Sequence, residues 1–203
     1  MKKTLTIAIA SLLSFSTFAA KFEQGKHYEE LTDAAFNAPN QVVKIYSTNC
    51  PFCYKYEKAV IPSYIKNLPD NVSYDAYHIT TKPPFGKEKA TVVAVAKQLG
   101  VQQYQSVKMA YYSQIHDKKI KFKSADETIE FGLDKLDITK AEFNKLKNSP
   151  EVTKLLKKWD QGVEVAKIKG IPAIVINGKY LINTQSITSM KMLDELTAEL
   201  LNK

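Results

Sequence analysis

The sequence predicts an α/β fold interrupted by an inserted helical block, and three observations predict it. First, a β-branched apolar run, Gln41-Val-Val-Lys-Ile-Tyr46, leads into Cys50-Pro-Phe-Cys53 and then into helical spacing. Second, from about Pro83 to about Lys158, helical periods and caps dominate and no convincing strand occurs. Third, strands return as Ala173-Ile-Val-Ile176 and Lys179-Tyr-Leu-Ile182, around an Asn177-Gly178 pair that favours a type I′ hairpin.

Size and composition agree with this reading. A chain of 203 residues suits one domain or a small domain carrying an insertion. Hydrophobic residues at 44% and charged residues at 25% exclude the balance typical of disorder. The formal charge is +8, and removing Lys2 and Lys3 with a leader leaves +6. Every basic side chain is Lys. Without Arg or a binding motif, nucleic acid is a poor explanation of that charge. Two readings of it stay open: scattered solvated lysines that keep the protein soluble, or attraction to an acidic protein or anionic surface.

Taken in order, residues 1–19 read as an export signal, with basic Lys2 and Lys3, an apolar stretch from Leu5 to Phe18, and Thr17-Phe18-Ala19 offering small residues at the cleavage positions. Cleavage is expected after Ala19, and Ser11, Ser14, Ser16 and Thr17 shorten the apolar run below the roughly 20 residues of a membrane span. A soluble protein in an oxidising compartment follows. Lys21 to Asn40 reads as a polar entry, Gln41–Tyr46 as a buried strand, and the stretch beyond Cys53 as a helix through Tyr56, Ala59, Val60 and Tyr64 with a kink at Pro62. Val72 to Ile79 alternates as a second strand. Within the helical block, Ser124-Ala-Asp-Glu127 and Thr139-Lys-Ala-Glu142 have the capping-box pattern. Ser149-Pro150 marks a further helix start, whose apolar face runs through Val152, Leu155, Leu156, Trp159, Val163 and Ala166 back into the first domain. The hairpin and a last helix, Ile187 to Leu201, close the chain. The expected division is 20–82 with 159–203 as one discontinuous domain and 83–158 as the insertion.

Cys50 and Cys53 are the only cysteines, at a strand-to-helix seam. A disulfide closing so short a loop constrains the unfolded chain little, so redox chemistry explains it better than stabilisation. A structural zinc site needs four ligands, and His27, His78 and His116 have no paired spacing with the cysteines. With Cys50 as N-cap and Pro51 opening the helix, the Cys50 sulfur faces the free N–H groups and positive end of the helix, which favours its thiolate. Cys53, one turn inside, keeps the higher pKa. Cys50 is therefore the residue expected to exchange with clients, and Cys53 the one that closes the disulfide. Stabilising the thiolate destabilises the disulfide, by about 1.4 kcal/mol or roughly 30 mV for each pKa unit below ambient pH, which makes an oxidant.

Cys50-Pro-Phe-Cys53-Tyr, with Lys169-Gly-Ile-Pro172-Ala-Ile-Val-Ile-Asn-Gly-Lys-Tyr180 far downstream, resembles the DsbA family of periplasmic oxidases over nearly all of the chain beyond the leader. Within it, Cys50 to Tyr56, Ala110-Tyr-Tyr112, His116-Asp-Lys-Lys119 and Val165-Ala-Lys-Ile168 look closer to the basic DsbL branch. The resemblance implies a thioredoxin fold with a helical insertion, and a depressed Cys pKa is itself a known property of that family. It implies a cis Ile171-Pro172 peptide beside the disulfide, with the Ile171 backbone pairing to clients; a plain strand-start proline is the other reading of Pro172. It also implies a redox-active disulfide without a bound cofactor, reduced exported clients such as an arylsulfate sulfotransferase, and reoxidation by a DsbI- or DsbB-like membrane quinone reductase. A monomer is expected, because no length is left for the dimerisation domain of a disulfide isomerase.

The chain departs from the general pattern at Lys44 and Ala76, where that pattern has a buried acid and a lysine. Lys44 has two readings, favouring the Cys50 thiolate by charge or snorkelling to solvent. Phe52 stands where the general oxidase has His, removing a polar group near the sulfur. Tyr104, Met109, Tyr111 and Tyr112 are read either as core or as a client groove, and His78 and His116 as structural. Against the oxidase stand a reductase or isomerase and, from another class, a basic holdase using the same groove without redox turnover.

Overall fold

The computed structural model describes residues 21–203. The leader and its cleavage site after Ala19 lie outside the described residues. The β-branched run forms β2 (Gln41–Tyr46), fully buried over Val42–Tyr46. It pairs in parallel with β3 (Ser73–His78) on one side and antiparallel with β4 (Ala173–Ile176) on the other. β4 continues antiparallel to β5 (Tyr180–Ile182), which pairs with the short edge strand β1 (Tyr28–Glu30). The sheet order is β1-β5-β4-β2-β3. The β4–β5 turn has Asn177 at φ 55° and Gly178 at φ 71°, as the dipeptide predicts. A Cβ on Gly178 would stand 1.7 Å from the Phe36 carbonyl oxygen, so the turn also depends on a bare backbone there.

β1 lies inside the segment read as a polar entry. Three residues carry no period, and the strand exists because β5 offers it partners, Tyr28 opposite Ile182 and Glu30 opposite Tyr180.

The sheet sorts its side chains by alternation. Val42, Ile174 and Ile176 face one core with α1 (Pro51–Ala59), α2 (Ile61–Asn67) and α8 (Met190–Leu201). Val43, Ile45, Ala173 and Val175 face the other, with Trp159 and Val165 of α7 (Pro150–Lys169). Pro62 sits in the first turn of α2, so the expected kink is a break at Val60 between two helices. α8 starts at Met190 because the Ser189 hydroxyl accepts the Met192 N–H; Ile187 packs on the core from extended backbone outside the helix.

α3 (Gly86–Leu99), α4 (Val101–Tyr112), α5 (Ala125–Leu136) and α6 (Lys140–Lys147) form the helical block. Thr139 and Glu142 make both bonds of a capping box. Ser124 makes only its own half, because the Glu127 carboxylate reaches past it to accept the Lys123 N–H at 2.6 Å. α7 is continuous through residues 158 and 159, so the expected domain division falls within one helix. The core is shared too: Leu133 and Phe143 of the block belong to one buried cluster with Val43 and Ile45 of the sheet.

Candidate active site

β2 delivers the chain to the site through Ser47, Thr48 and Asn49, and three elements hold that link. From β3, His78 Nε2 accepts the Thr48 N–H at 3.0 Å while its Nδ1 lies 2.9 Å from the Ile79 carbonyl. A carbonyl only accepts, so Nδ1 carries the proton; burial keeps the ring neutral by lowering its pKa to about 3. From the π-helical turn Ser113–Asp117 that extends α4, His116 Nε2 donates to the Thr48 carbonyl at 2.9 Å. From the Thr80–Phe85 crossing, the Lys82 and Pro84 carbonyls accept the Asn49 carboxamide at 2.9 and 2.8 Å.

Cys50 then caps α1. Its sulfur accepts the Cys53 N–H at 3.3 Å, and its carbonyl accepts the Tyr54 N–H at 3.1 Å, with Pro51 in the first turn. The cysteines are unbridged thiols. The Cys50 pKa falls to about 6, chiefly through the hydrogen bond from the Cys53 thiol, with burial opposing and the Cys53 and Phe52 backbone N–H groups and the Lys82 charge assisting. Burial, then the shared hydrogen bond with Cys50, pushes Cys53 far up. One thiol is thus poised to ionise and the other to keep its proton. Cys50 is only 3% exposed and Cys53 fully buried, while Phe52 beside them is 62% exposed.

Ile171 and Pro172 meet this pair from the far end of the chain. Their peptide is cis, and the Ile171 carbonyl accepts the Cys50 S–H at 3.5 Å. Cys50, Pro51, Phe52, Cys53, Ile171 and Pro172 therefore stand together.

Lys44 requires correction. It neither snorkels to solvent nor supplies the charge that lowers Cys50. It is fully buried, on the face of β2 towards α1, where its ammonium pairs with Glu57 Oε2; Lys108 of α4 pairs with the other oxygen, Glu57 Oε1. The charge of Lys44 acts weakly on Cys53, lowering it, whereas the cation acting on Cys50 is Lys82. The ion pairs hold Glu57 below the usual carboxylate range against its burial, and burial lowers Lys108 to about 8. The acid missing from position 44 thus enters from α1.

The aromatics resolve towards the core reading. Tyr104, Tyr111 and Tyr112 are buried and Met109 partly so; Tyr112 packs with Cys50 and Cys53 and stacks on Tyr54 at 5.0 Å, and its hydroxyl has no hydrogen-bond partner among the described residues. Lys82, Asn49 and the role of His116 at Thr48 were not read from sequence, since each acts through a contact between distant segments. Among the described residues no three His, Cys, Asp or Glu side chains gather as a metal site, and no helix is long and apolar enough to cross a membrane.

A cysteine pair capping the first helix of a thioredoxin fold, with a cis-proline loop against it, defines a thiol:disulfide oxidoreductase. Comparison with known proteins narrows the class. The Thioredoxin family model matches residues 35–195. The thiol:disulfide interchange protein DsbL of Escherichia coli O6:H1 is 36% identical, covering 98% of this chain and 95% of that protein. DsbA of Pectobacterium carotovorum is 31% identical, covering 95% and 91%. The crystal structure of DsbL from Salmonella enterica serovar Typhimurium superposes with a TM-score of 0.85 at 37% identity, covering 91% of this chain and all of that one. The chain belongs to the DsbA family of thiol:disulfide interchange proteins and is similar in particular to its DsbL members.

Proposed function

We propose that this protein is a disulfide donor to exported proteins, acting in the periplasm after cleavage behind Ala19, and that Cys50 is the exchanging cysteine. A client thiolate attacks the Cys50 sulfur of the Cys50-Cys53 disulfide. The S–S bond breaks, its electron pair leaves on the Cys53 sulfur, and that sulfur takes a proton. A second client thiolate then attacks the client sulfur of the mixed disulfide, and Cys50 departs as thiolate. The client gains a disulfide and the protein is left as the dithiol. Phe52 presents an exposed apolar ring at the point of exchange, and the Ile171 backbone beside the sulfur offers main-chain pairing that demands little of client sequence.

The depressed pKa of Cys50 carries this reading. At about 6 it lies one unit below pH 7; that difference favours the dithiol by about 1.4 kcal/mol, or roughly 30 mV in the oxidising direction. It also makes Cys50 the better leaving group of the two. The redox group of this reading is the Cys50-Cys53 pair itself, with no bound cofactor. Reoxidation falls to a membrane quinone reductase of the DsbI or DsbB kind, and an arylsulfate sulfotransferase is the first client to try. The protein works as a monomer.

The test is the glutathione redox equilibrium of the Cys50-Cys53 couple together with Cys50 thiolate absorbance across pH. The expected result is a potential well above that of thioredoxin and a thiolate persisting below neutrality. A thioredoxin-like potential with an ordinary thiol pKa would overturn the donor reading.

A further inference from the structure

Lys89 is a buried cation for which the exchange chemistry above has no role. It is 0% exposed, and no carboxylate lies within ion-pairing distance of it among the described residues. Its ammonium donates to Asn49 Oδ1 at 2.9 Å and to the Pro84 carbonyl at 2.8 Å, and it lies 5.1 Å from the centre of the Phe122 ring and 5.8 Å from that of Phe85. Burying an unpaired ammonium is costly unless its protons are taken up. Here the acceptors belong to two segments that meet at the active site.

Asn49 immediately precedes Cys50. Its carboxamide is used in full: the oxygen takes Lys89, and the nitrogen gives its two protons to the Lys82 and Pro84 carbonyls. Lys89, Asn49 and Pro84 therefore close a ring of hydrogen bonds, and Lys82 is tied to that ring by its own carbonyl. Without Lys89, the Asn49 oxygen and one bond to Pro84 lose their partner, and the crossing that bears Lys82 is held to the cap only by the Asn49 nitrogen.

We propose that Lys89 is a positioning residue for disulfide exchange: acting through Asn49, it locks the 80–85 crossing against the helix cap and so holds Cys50 in the cap geometry in which its sulfur accepts the Cys53 N–H. The proposal rests on Cys50 being the exchanging thiol. It differs from a purely structural role for Lys89, which would affect stability and leave the thiolate alone.

The experiment compares Lys89→Met, Asn49→Ala and the double variant in the full reduced protein, reading the thiolate-to-thiol ratio of Cys50 from its absorbance across pH. A hydrogen bond of this kind is worth about 0.5–1.5 kcal/mol, so each single variant is expected to lower that ratio at fixed pH by roughly two- to twelvefold. The double variant is expected to fall no further than the larger single effect. Lys89→Met leaving the ratio unchanged, or lowering it as much in the Asn49→Ala background as in the unmutated one, overturns the proposal. A second measurement needs no substitution: in the unmutated protein both Asn49 carboxamide protons are expected to be protected from hydrogen exchange, and exchange as fast as for an exposed asparagine overturns the clamp. An ordinary Cys50 pKa in the unmutated protein would instead sink the exchange reading itself, so the two failures are distinguishable.

Discussion

Replacing Glu57 with Gln removes the one carboxylate that pairs with Lys44 and Lys108 among the described residues. The Glu57 side chain is 8% exposed, and its partners are 0% and 3% exposed, so water does little to compensate. Breaking one buried pair by deleting a partner typically costs about 3–5 kcal/mol, because the surviving charge is left uncompensated. Two ammonium groups are stranded here, but Lys108, already lowered to about 8, sheds its proton readily, which limits the second penalty. A total near 4 kcal/mol is therefore expected, a large share of the roughly 5–15 kcal/mol that holds a typical domain together. At about 2–4 °C per kcal/mol for a chain of this size, the melting temperature should fall by roughly 8–16 °C. Urea unfolding of the reduced protein at pH 7 measures the difference, and repeating it at higher pH tests the cause. Stranded Lys108, already lowered by burial, loses its proton in the folded variant while the unfolded chain keeps it up to the usual lysine range. The deficit should therefore narrow as pH rises, by up to about 1.4 kcal/mol per unit. A deficit below about 1 kcal/mol at pH 7, or one that widens towards alkaline pH, would refute the reasoning.

Three further outcomes rest on the same packing and electrostatics. The Cys50 thiol has a folded pKa of about 6, against an unfolded value of about 8.5; its contribution is fully present above the unfolded value and lost as pH falls through the folded one. Cys53, pushed far up in the fold, opposes it only where the unfolded thiol ionises, so the reduced protein should lose about 2 kcal/mol relative to the disulfide form on going from about pH 8 to about pH 5. Paired denaturation curves of the two redox forms measure this, and a pH-independent gap contradicts it. Tyr112→Phe deletes a buried hydroxyl that has no partner among the described residues, so it should leave stability unchanged or raise it by up to about 1 kcal/mol; a clear loss would show that the hydroxyl is bonded in solution. Gly132→Ala sets a Cβ 2.4 Å from the Tyr111 hydroxyl and 2.5 Å from Val92 Cγ1, and a destabilisation of about 1–3 kcal/mol in thermal unfolding is expected, with the Tyr111 bond to the Thr128 carbonyl displaced.

The parts of this molecule legible in its sequence are those specified locally. β2, the cysteine cap of α1, the Asn177-Gly178 turn and the Ser149-Pro150 start each arise from a few adjacent residues whose chemistry allows little else. β1 was illegible because three residues become a strand only when β5 supplies the ladder. The same division runs through the site. Cys50, Cys53 and Pro51 announce themselves by spacing, and Pro172 by resemblance. Lys44 shows why the rest stayed hidden: its position on the strand was readable, but its partner Glu57 lies on α1 and the competing Lys108 lies on α4. Lys82 looks like any loop lysine until the crossing is folded against Asn49. Ser124 marks the limit of motif reading, since its Glu127 was the right residue bonded to the wrong neighbour.

α7 has a mechanical consequence. A helix of 20 residues is a rod about 30 Å long, and this one belongs to the sheet at one end and to the helical block at the other. The only other covalent passage between the two is the short crossing at 80–85. The shared core and the contacts of Lys108 and His116 fix the block between rod and crossing. Because that crossing is fastened to Asn49, one residue before Cys50, the covalent junction of the two parts is also the anchor of the helix cap.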